Sequence, residues 1–163
     1  MDTDKIDRVL SFKKYKIMTL KNYFTLITMS IFQRGKSNYN ETYFYCPKVI
    51  CKDGFNVSLQ INNGNYCSSE NGYRELGVDW QEVEFGFPSE NDKDMFKYAE
   101  SYGYGGYDEN SDEIPFNEDE FDVTNTVGRI PVLDMQNILD NHGGIDWNST
   151  LSLDVANKFI FKN

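Results

Sequence analysis

Two parts of the chain alternate between apolar and polar side chains, a pattern typical of β-strands with one buried face. Residues 55–61 place Phe, Val, Leu and Ile against Asn, Ser and Gln, and residues 80–87 repeat the alternation. Residues 42–51 are aromatic and β-branched, and the turn sequence Lys52-Asp53-Gly54 joins them to the first of these runs. The pattern therefore predicts a β-hairpin followed, later in the chain, by a third strand.

Helical spacing of apolar residues appears in three other segments. Residues 4–18 follow it after several acidic residues, which predicts an N-terminal helix. Ser89 resembles an N-cap, and the acidic and apolar residues after it predict a helix over 89–101. Residues 131–141 begin with a proline and stop at His142-Gly143-Gly144, which predicts a third helix.

Four segments carry weaker patterns. In residues 23–32 a strand competes with a buried helix, and we favour the strand. Residues 62–77 contain Asn-Gly twice and predict a loop, whereas residues 126–130 predict a strand. Residues 152–161 predict a final strand, or a short helix and then a strand.

These elements predict an α+β fold, with a mainly antiparallel sheet of three to five strands and two or three helices. A length of 163 residues suits one domain. We assign residues 18–163 to that domain, with an acidic loop at 102–125, and residues 1–17 to a basic N-terminal extension.

Charge is distributed unevenly along the chain, whose net charge is −10. Residues 1–38 hold eight basic and three acidic side chains, a net charge of +5. Residues 82–122 hold fourteen carboxylates and two lysines, a net charge of −12. Such a segment repels nucleic acid and is attracted to a basic groove, because carboxylates compete with phosphates for the same Lys and Arg side chains. Solubility alone is the other explanation of this charge.

We predict that residues 82–122 bind a partner protein and do not bind nucleic acid directly. The third strand contributes two carboxylates on one face, with Val83 and Phe85 as the buried partners. The acidic loop contributes the others. The predicted partner-binding residues are Glu82, Glu84, Asp108, Glu109, Asp112, Glu113, Glu118, Asp119, Glu120 and Asp122.

Catalytic and metal-binding patterns are weak in this sequence, and we predict no catalytic residue, metal or cofactor. The single histidine, His142, is expected to cap a helix C-terminus. Cys46, Cys51 and Cys67 are odd in number and lack zinc-finger spacing, which favours reduced thiols in the cytoplasm. The longest apolar run has ten residues, too few for the roughly 20 of a membrane-spanning helix.

Five short strings resemble a family of small proteins encoded in bacteriophage and prophage genomes. They are CKDGFNVSLQ at 51–60, YCS at 66–68, VEFGFPS at 83–89, YAE at 98–100 and HGG at 142–144. The family has no established activity, so the resemblance implies a viral setting and the cytoplasm of a bacterial host, and transfers no site.

Small acidic phage proteins without catalytic motifs include inhibitors of host defence, anti-CRISPR proteins among them. By that analogy we expect a non-enzymatic protein that inhibits a host defence nuclease, such as a CRISPR effector, through an acidic surface that mimics nucleic acid. One alternative is a small enzyme that uses a carboxylate-bound metal on nucleic acid or nucleotides. Another is a phage regulatory or assembly protein that self-associates through the tyrosine-rich residues 102–107. The target and the oligomeric state remain open.

Overall fold

A computed structural model of the chain describes residues 19–33, 45–62, 64–101, 108–115, 117–120 and 126–152. These residues form four α-helices: α1 (Leu20–Gln33), α2 (Lys93–Ser101), α3 (Val132–Asn141) and α4 (Trp147–Thr150). They also form six strands: β1 (Val49–Ile50), β2 (Asn56–Gln60), β3 (Ser68–Ser69), β4 (Gly72–Tyr73), β5 (Trp80–Gly86) and β6 (Thr126–Pro131). A 3₁₀ turn occupies Glu118–Glu120.

One antiparallel sheet is built around the longest strand, β5. The strand order is β1-β2-β5-β3-β4, and β6 also pairs with β5. Within β5, Phe85 lies opposite Leu59 of β2, and Val83 lies opposite Ile130 of β6. The predicted α+β class with a mainly antiparallel sheet is confirmed. The sheet has six strands, and two of them form the short hairpin β3–β4 within residues 62–77, which were predicted as a loop.

The predicted first hairpin is confirmed, although its strands are shorter than expected. Val49 of β1 pairs with Val57 of β2, and β1 lies at one end of the strand order. Gly54 adopts a φ of 98°, and the Asp53 side chain accepts a hydrogen bond of 2.8 Å from the Phe55 amide. The side chain of Asp53 therefore stabilises the turn that the sequence Lys52-Asp53-Gly54 predicted.

The prediction of a strand over residues 23–32 is wrong, because these residues belong to helix α1. Leu20, Tyr23, Phe24 and Ile27 recur at helical spacing and are buried together. Thr28 lies on the same buried side, and its hydroxyl accepts a 3.0 Å hydrogen bond from the indole of Trp80 in β5. The weak alternation of apolar and polar residues left strand and buried helix in competition, and tertiary burial of one helical stripe decides the conformation.

The N-cap predicted at Ser89 is also wrong. Helix α2 begins at Lys93, and the carboxylate of Asp92 accepts a hydrogen bond of 2.7 Å from the Asp94 amide. Ser89 is occupied elsewhere, since its hydroxyl accepts a hydrogen bond of 3.0 Å from the amide of Asn56. Ser89 therefore ties the chain to the start of β2, and Asp92 does the capping.

The strand predicted over 126–130 and the helix predicted over 131–141 are both confirmed. Strand β6 ends at Pro131, which is also the N-cap residue of α3. Helix α3 ends at Asn141 with His142 as its C-cap, and Gly143 and Gly144 follow, each with a φ of 83°. Left-handed backbone at two successive glycines turns the chain sharply after the helix.

Helices α1 and α3 both contact β5, and α2 contacts β6. Their buried faces join the sheet residues in one apolar core. In the part of the chain that the structure describes, no helix is both long and apolar enough to cross a membrane. The predicted helix over 4–18, the extension 1–17, the tyrosine-rich residues 102–107 and most of 152–161 lie outside the described residues.

Candidate functional site

The acidic loop is described at 108–115 and 117–120, and its carboxylates from Asp108 to Asp119 face solvent. A turn shapes its first part: the Asp108 carboxylate accepts hydrogen bonds from the amides of Asn110 (2.8 Å) and Asp112 (2.9 Å). The Asp108 amide in turn donates to the carbonyl of Asp112 at 2.9 Å. This turn fixes the backbone locally while the neighbouring side chains point outwards.

Six of the predicted partner-binding residues are exposed in this segment: Asp108, Glu109, Asp112, Glu113, Glu118 and Asp119. Asp122 lies outside the described residues, and the side chain of Glu120 is not described. The ion pairs found between described residues lie elsewhere, at Lys21–Asp79, Arg129–Glu82 and around His142. Within the described chain, no ion pair therefore neutralises these six carboxylates.

Glu82 and Glu84 of β5 do not share one solvated face as predicted. Glu84 is only 8% exposed, and its carboxylate accepts hydrogen bonds from the side-chain amide of Asn65 (2.7 Å) and the backbone amide of Tyr66 (2.9 Å). Val83 and Phe85 are buried as expected. The loop between β2 and β3 covers Glu84, so its carboxylate is a structural anchor.

Glu82 is half-buried and serves a neighbouring cluster. One of its oxygens accepts a 2.7 Å hydrogen bond from Ser68 and lies 3.2 Å from the guanidinium of Arg129. No hydrogen bond or ion pair between described residues joins Glu82 or Glu84 to the acidic segment. The predicted site is thus divided: the exposed carboxylates between Asp108 and Asp119 face solvent, whereas Glu82 and Glu84 bind neighbouring protein groups.

A second cluster surrounds His142, whose partners sequence reasoning missed. The Nδ1 atom lies 2.6 Å from a carboxylate oxygen of Asp53, and the Nε2 atom lies 2.7 Å from one of Asp92. The Phe55 ring stacks on the imidazole, with 3.9 Å between ring centroids and 8° between planes. His142 caps α3 as predicted, and it also joins the β1–β2 turn to the start of α2.

Both nitrogens of His142 contact carboxylates, so both must carry a proton if both contacts are hydrogen bonds. Burial alone would lower the pKa of the imidazole, but the hydrogen bonds to Asp53 and Asp92 prevail and raise the pKa above its ordinary value. The pKa of Asp53 is lowered, first by the Phe55 amide and then by His142. A charged imidazole with no free nitrogen is suited to cross-linking and unsuited to binding a metal.

A third cluster combines two arginines and two tyrosines, which we call the arginine–tyrosine surface (Tyr66, Tyr73, Arg74 and Arg129). Tyr66 and Tyr73 are 46% and 47% exposed. The Arg74 guanidinium lies 4.7 Å from the centroid of the Tyr66 ring and 5.2 Å from that of Tyr73. Arg129 lies 5.6 Å from the Tyr73 centroid. Each contact has the geometry of a cation–π interaction.

The backbone beneath the arginine–tyrosine surface is strained and firmly held. Arg74 has a φ of 57° and Arg129 a φ of 58°, a conformation that costs a residue with a side chain roughly 1–2 kcal/mol. Hydrogen bonds maintain it, from the Arg129 amide to the Tyr66 carbonyl at 2.8 Å and from the Arg74 amide to the Cys67 carbonyl at 2.9 Å. A Cβ atom on Gly128 would lie 2.1 Å from Cβ of Tyr66, so only glycine fits there.

The three cysteine thiols are buried in the core. Cys46, Cys51 and Cys67 are free and buried, and burial raises the pKa of the Cys51 and Cys67 thiols to about 12. Within the described ranges, no group of three or more His, Cys, Asp or Glu side chains is arranged to hold a metal ion.

Comparison with protein-family models, with curated proteins and with solved structures finds no match to this chain. The resemblance to phage-encoded proteins, and the function expected from it, therefore remain predictions.

Proposed function

We propose that this protein is a non-enzymatic binding protein whose acidic segment 108–120 occupies a basic groove on a protein that handles nucleic acid. The observation that carries the proposal is the exposure of Asp108, Glu109, Asp112, Glu113, Glu118 and Asp119, with no ion pair to a described Lys or Arg. Exposed carboxylates of this kind are accessible to the Lys and Arg side chains of a partner.

The local shape of the segment supports the proposal as well. The Asp108 turn orders the backbone from Asp108 to Asp112, so part of the entropy lost on binding is already lost in the free protein. Ile114 is 45% exposed and places an apolar group among the carboxylates. A surface with both features can bind a basic groove with defined geometry, beyond the steering that net charge provides.

The resemblance to phage-encoded proteins suggests the class of target, a nuclease of bacterial defence such as a CRISPR effector. The Lys and Arg side chains that line such a nuclease normally contact phosphates. If the acidic segment occupied these Lys and Arg side chains, they could no longer hold the guide or target strand. The protein would then inhibit the nuclease without catalysing a reaction.

The alternative of a carboxylate-dependent enzyme gains no support from the described residues. Its best acid–base pair, Glu82 and Glu84, is engaged with Ser68, Arg129, Asn65 and Tyr66. A general acid or base needs a carboxyl group that can reach its substrate. The other alternative, a regulatory or assembly protein that self-associates through residues 102–107, rests on a segment outside the described residues.

The test is capture of partners from a bacterial lysate with the wild-type chain and with the double variant Asp112→Asn/Glu113→Gln. We expect nucleic-acid-handling proteins to bind the wild type and to be lost from the variant, because two of the exposed charges are removed. Binding should also weaken as salt is raised, since exposed charge pairs are screened.

The matched control is Glu75→Gln/Glu90→Gln, which removes the same charge from two exposed residues outside the segment. The control should capture the same partners as the wild type. Equal capture by all three proteins would show that the acidic segment is not the binding surface. Equal loss from both variants would show that only net charge matters.

A further inference from the structure

The arginine–tyrosine surface has no role in the function proposed above, and its composition is that of a binding site. Tyr and Arg are enriched among the residues that dominate binding energy at protein interfaces. Tyr66 and Tyr73 are about half exposed, and the Arg129 side chain is 56% exposed. Their side chains present flat aromatic faces beside guanidinium groups.

The surface is also preorganised. Buried Glu84 holds the Tyr66 amide at 2.9 Å, and the Tyr66 carbonyl holds the amide of Arg129 at 2.8 Å. Arg74 donates from Nε to the Asn65 carbonyl at 3.2 Å, which directs its guanidinium across both tyrosines. The backbone of Tyr66 and Arg129 and the guanidinium of Arg74, held in this way, lose little freedom when a ligand binds.

The chemistry of the arginine–tyrosine surface favours an acidic polypeptide as its ligand. Guanidinium groups hydrogen-bond carboxylates, and tyrosine faces accept apolar side chains. Nucleic acid carries a charge at every phosphate, so a chain with a net charge of −10 repels it along the whole of its length, whereas a polypeptide segment carries its carboxylates in one short group. A segment with grouped carboxylates and apolar residues between them fits better.

The chain itself supplies such a segment. Residues 108–120 hold seven carboxylates on either side of the exposed Ile114. We propose that the arginine–tyrosine surface of one copy binds the acidic segment 108–120 of a second copy. The two surfaces differ, so the contact is head-to-tail, and each copy offers one binding surface and one segment.

Repulsion between two negative chains opposes this contact but does not prevent it at physiological salt. Charges are screened over about 8 Å there, so distant carboxylates contribute little while the paired groups remain in contact. A copy held in this way has its acidic segment covered. Self-association therefore competes with binding of a target, whatever the identity of that target.

Sedimentation equilibrium with three proteins tests the proposal: the wild type, Arg74→Gln/Arg129→Gln and Asp112→Asn/Glu113→Gln. We expect the wild type to self-associate as its concentration rises. For each variant alone, the dissociation constant of self-association should rise about tenfold or more. A mixture of the two variants should form one-to-one pairs and nothing larger, because only one intact contact remains between them.

A wild type that stays monomeric at high concentration would overturn the proposal, as would an arginine variant that associates like the wild type, or a mixture that forms no pairs. Oligothymidylate that binds the wild type and not the arginine variant would assign the surface to nucleic acid instead. An acidic variant that associates like the wild type would also overturn the proposal, and because this variant changes only exposed loop residues, that outcome counts even if the arginine variant misfolds.

The same variants separate this inference from the proposed function. The arginine variant should lose self-association and keep capture of a target, whereas the acidic variant should lose both. Loss of target capture with intact self-association in the acidic variant would contradict the inference alone.

Discussion

The Nε2 atom of His142 lies 2.7 Å from a carboxylate oxygen of Asp92, a residue 50 positions earlier in the chain. The contact joins the end of α3 to the start of α2, and the opposite ring nitrogen joins both to the β1–β2 turn through Asp53. One imidazole thus links three parts of the fold.

This link predicts that stability depends on pH through His142. Its pKa is raised in the folded state, so its contribution is complete below the ordinary value of 6.5 and is lost as the pH rises through the raised pKa. The pKa of Asp53 is lowered from 3.8. The contribution of Asp53 to folding stability is therefore lost only as the pH falls below this value. Thermal unfolding should therefore show a plateau in mildly acidic solution and a decline above it.

His142 is the only histidine in the chain, so a proton NMR titration reads it without ambiguity. We expect a midpoint above 6.5, and a lower midpoint in Asp53→Asn and in Asp92→Asn. His142→Gln should remove the decline of thermal stability on the alkaline side. A midpoint at or below the ordinary value would contradict the link.

The start of α2 makes a second prediction, which separates Asp92 from Ser89. Asp92→Ala should destabilise the protein by about 1 kcal/mol or more, because it removes the helix cap and also a partner of His142. Asp92→Asn keeps a capping oxygen and should destabilise it less. Backbone NMR shifts of Asp94 and Met95 should move towards coil values in Asp92→Ala and not in Ser89→Ala. The reverse order would restore Ser89 as the cap.

The two strand glutamates should respond very differently to the same substitution. Glu84→Gln puts an amide group where a buried oxygen accepts from Asn65 or Tyr66, and one donor loses its partner at a cost of about 1–3 kcal/mol. Glu82→Gln removes a partly exposed ion pair with Arg129, worth about 1 kcal/mol or less. Urea unfolding of both variants measures the difference, and equal losses would show that Glu84 is not an anchor.

The three cysteines should be inert in the folded protein. Burial raises the pKa of the Cys51 and Cys67 thiols to about 12, and it raises the pKa of Cys46 further. A thiol-specific disulfide reagent should therefore label no cysteine rapidly at neutral pH, and all three after denaturation. Rapid labelling of one thiol in the native protein would reveal a site that opens without global unfolding.

The sequence predicted those elements whose signals are local. Alternation located β5, the Asp-Gly turn located the first hairpin, and a proline followed later by two glycines located α3. The wrong predictions occurred where distant contacts decide. Residues 23–32 alternate only weakly, and they form a helix because Thr28 meets Trp80 and the apolar stripe meets the core.

The candidate sites show the same division. The acidic segment is exposed because it is rich in carboxylates, so its exposure could be predicted from the sequence. The burial of Glu84 depends on a loop that folds over β5, and the partners of His142 lie 50 and 89 residues away. The arginine–tyrosine surface has no signature in the sequence, because its residues come together only when β3, β4, β5 and β6 pair in the sheet. Its one local signal is Gly128, in a strand where glycine marks a close approach.

Pro131 ends β6 and caps α3 at the same time, so no loop separates the strand from the helix. A proline at this joint has a fixed φ angle and leaves the two elements few ways to move independently. Strand β6 and helix α3 should therefore behave as one cooperative unit of native-state hydrogen exchange, with amides that become exposed in a single opening event. That unit carries Arg129, and His142 follows it directly, so the arginine–tyrosine surface and the histidine link should each lose one member in that same opening event.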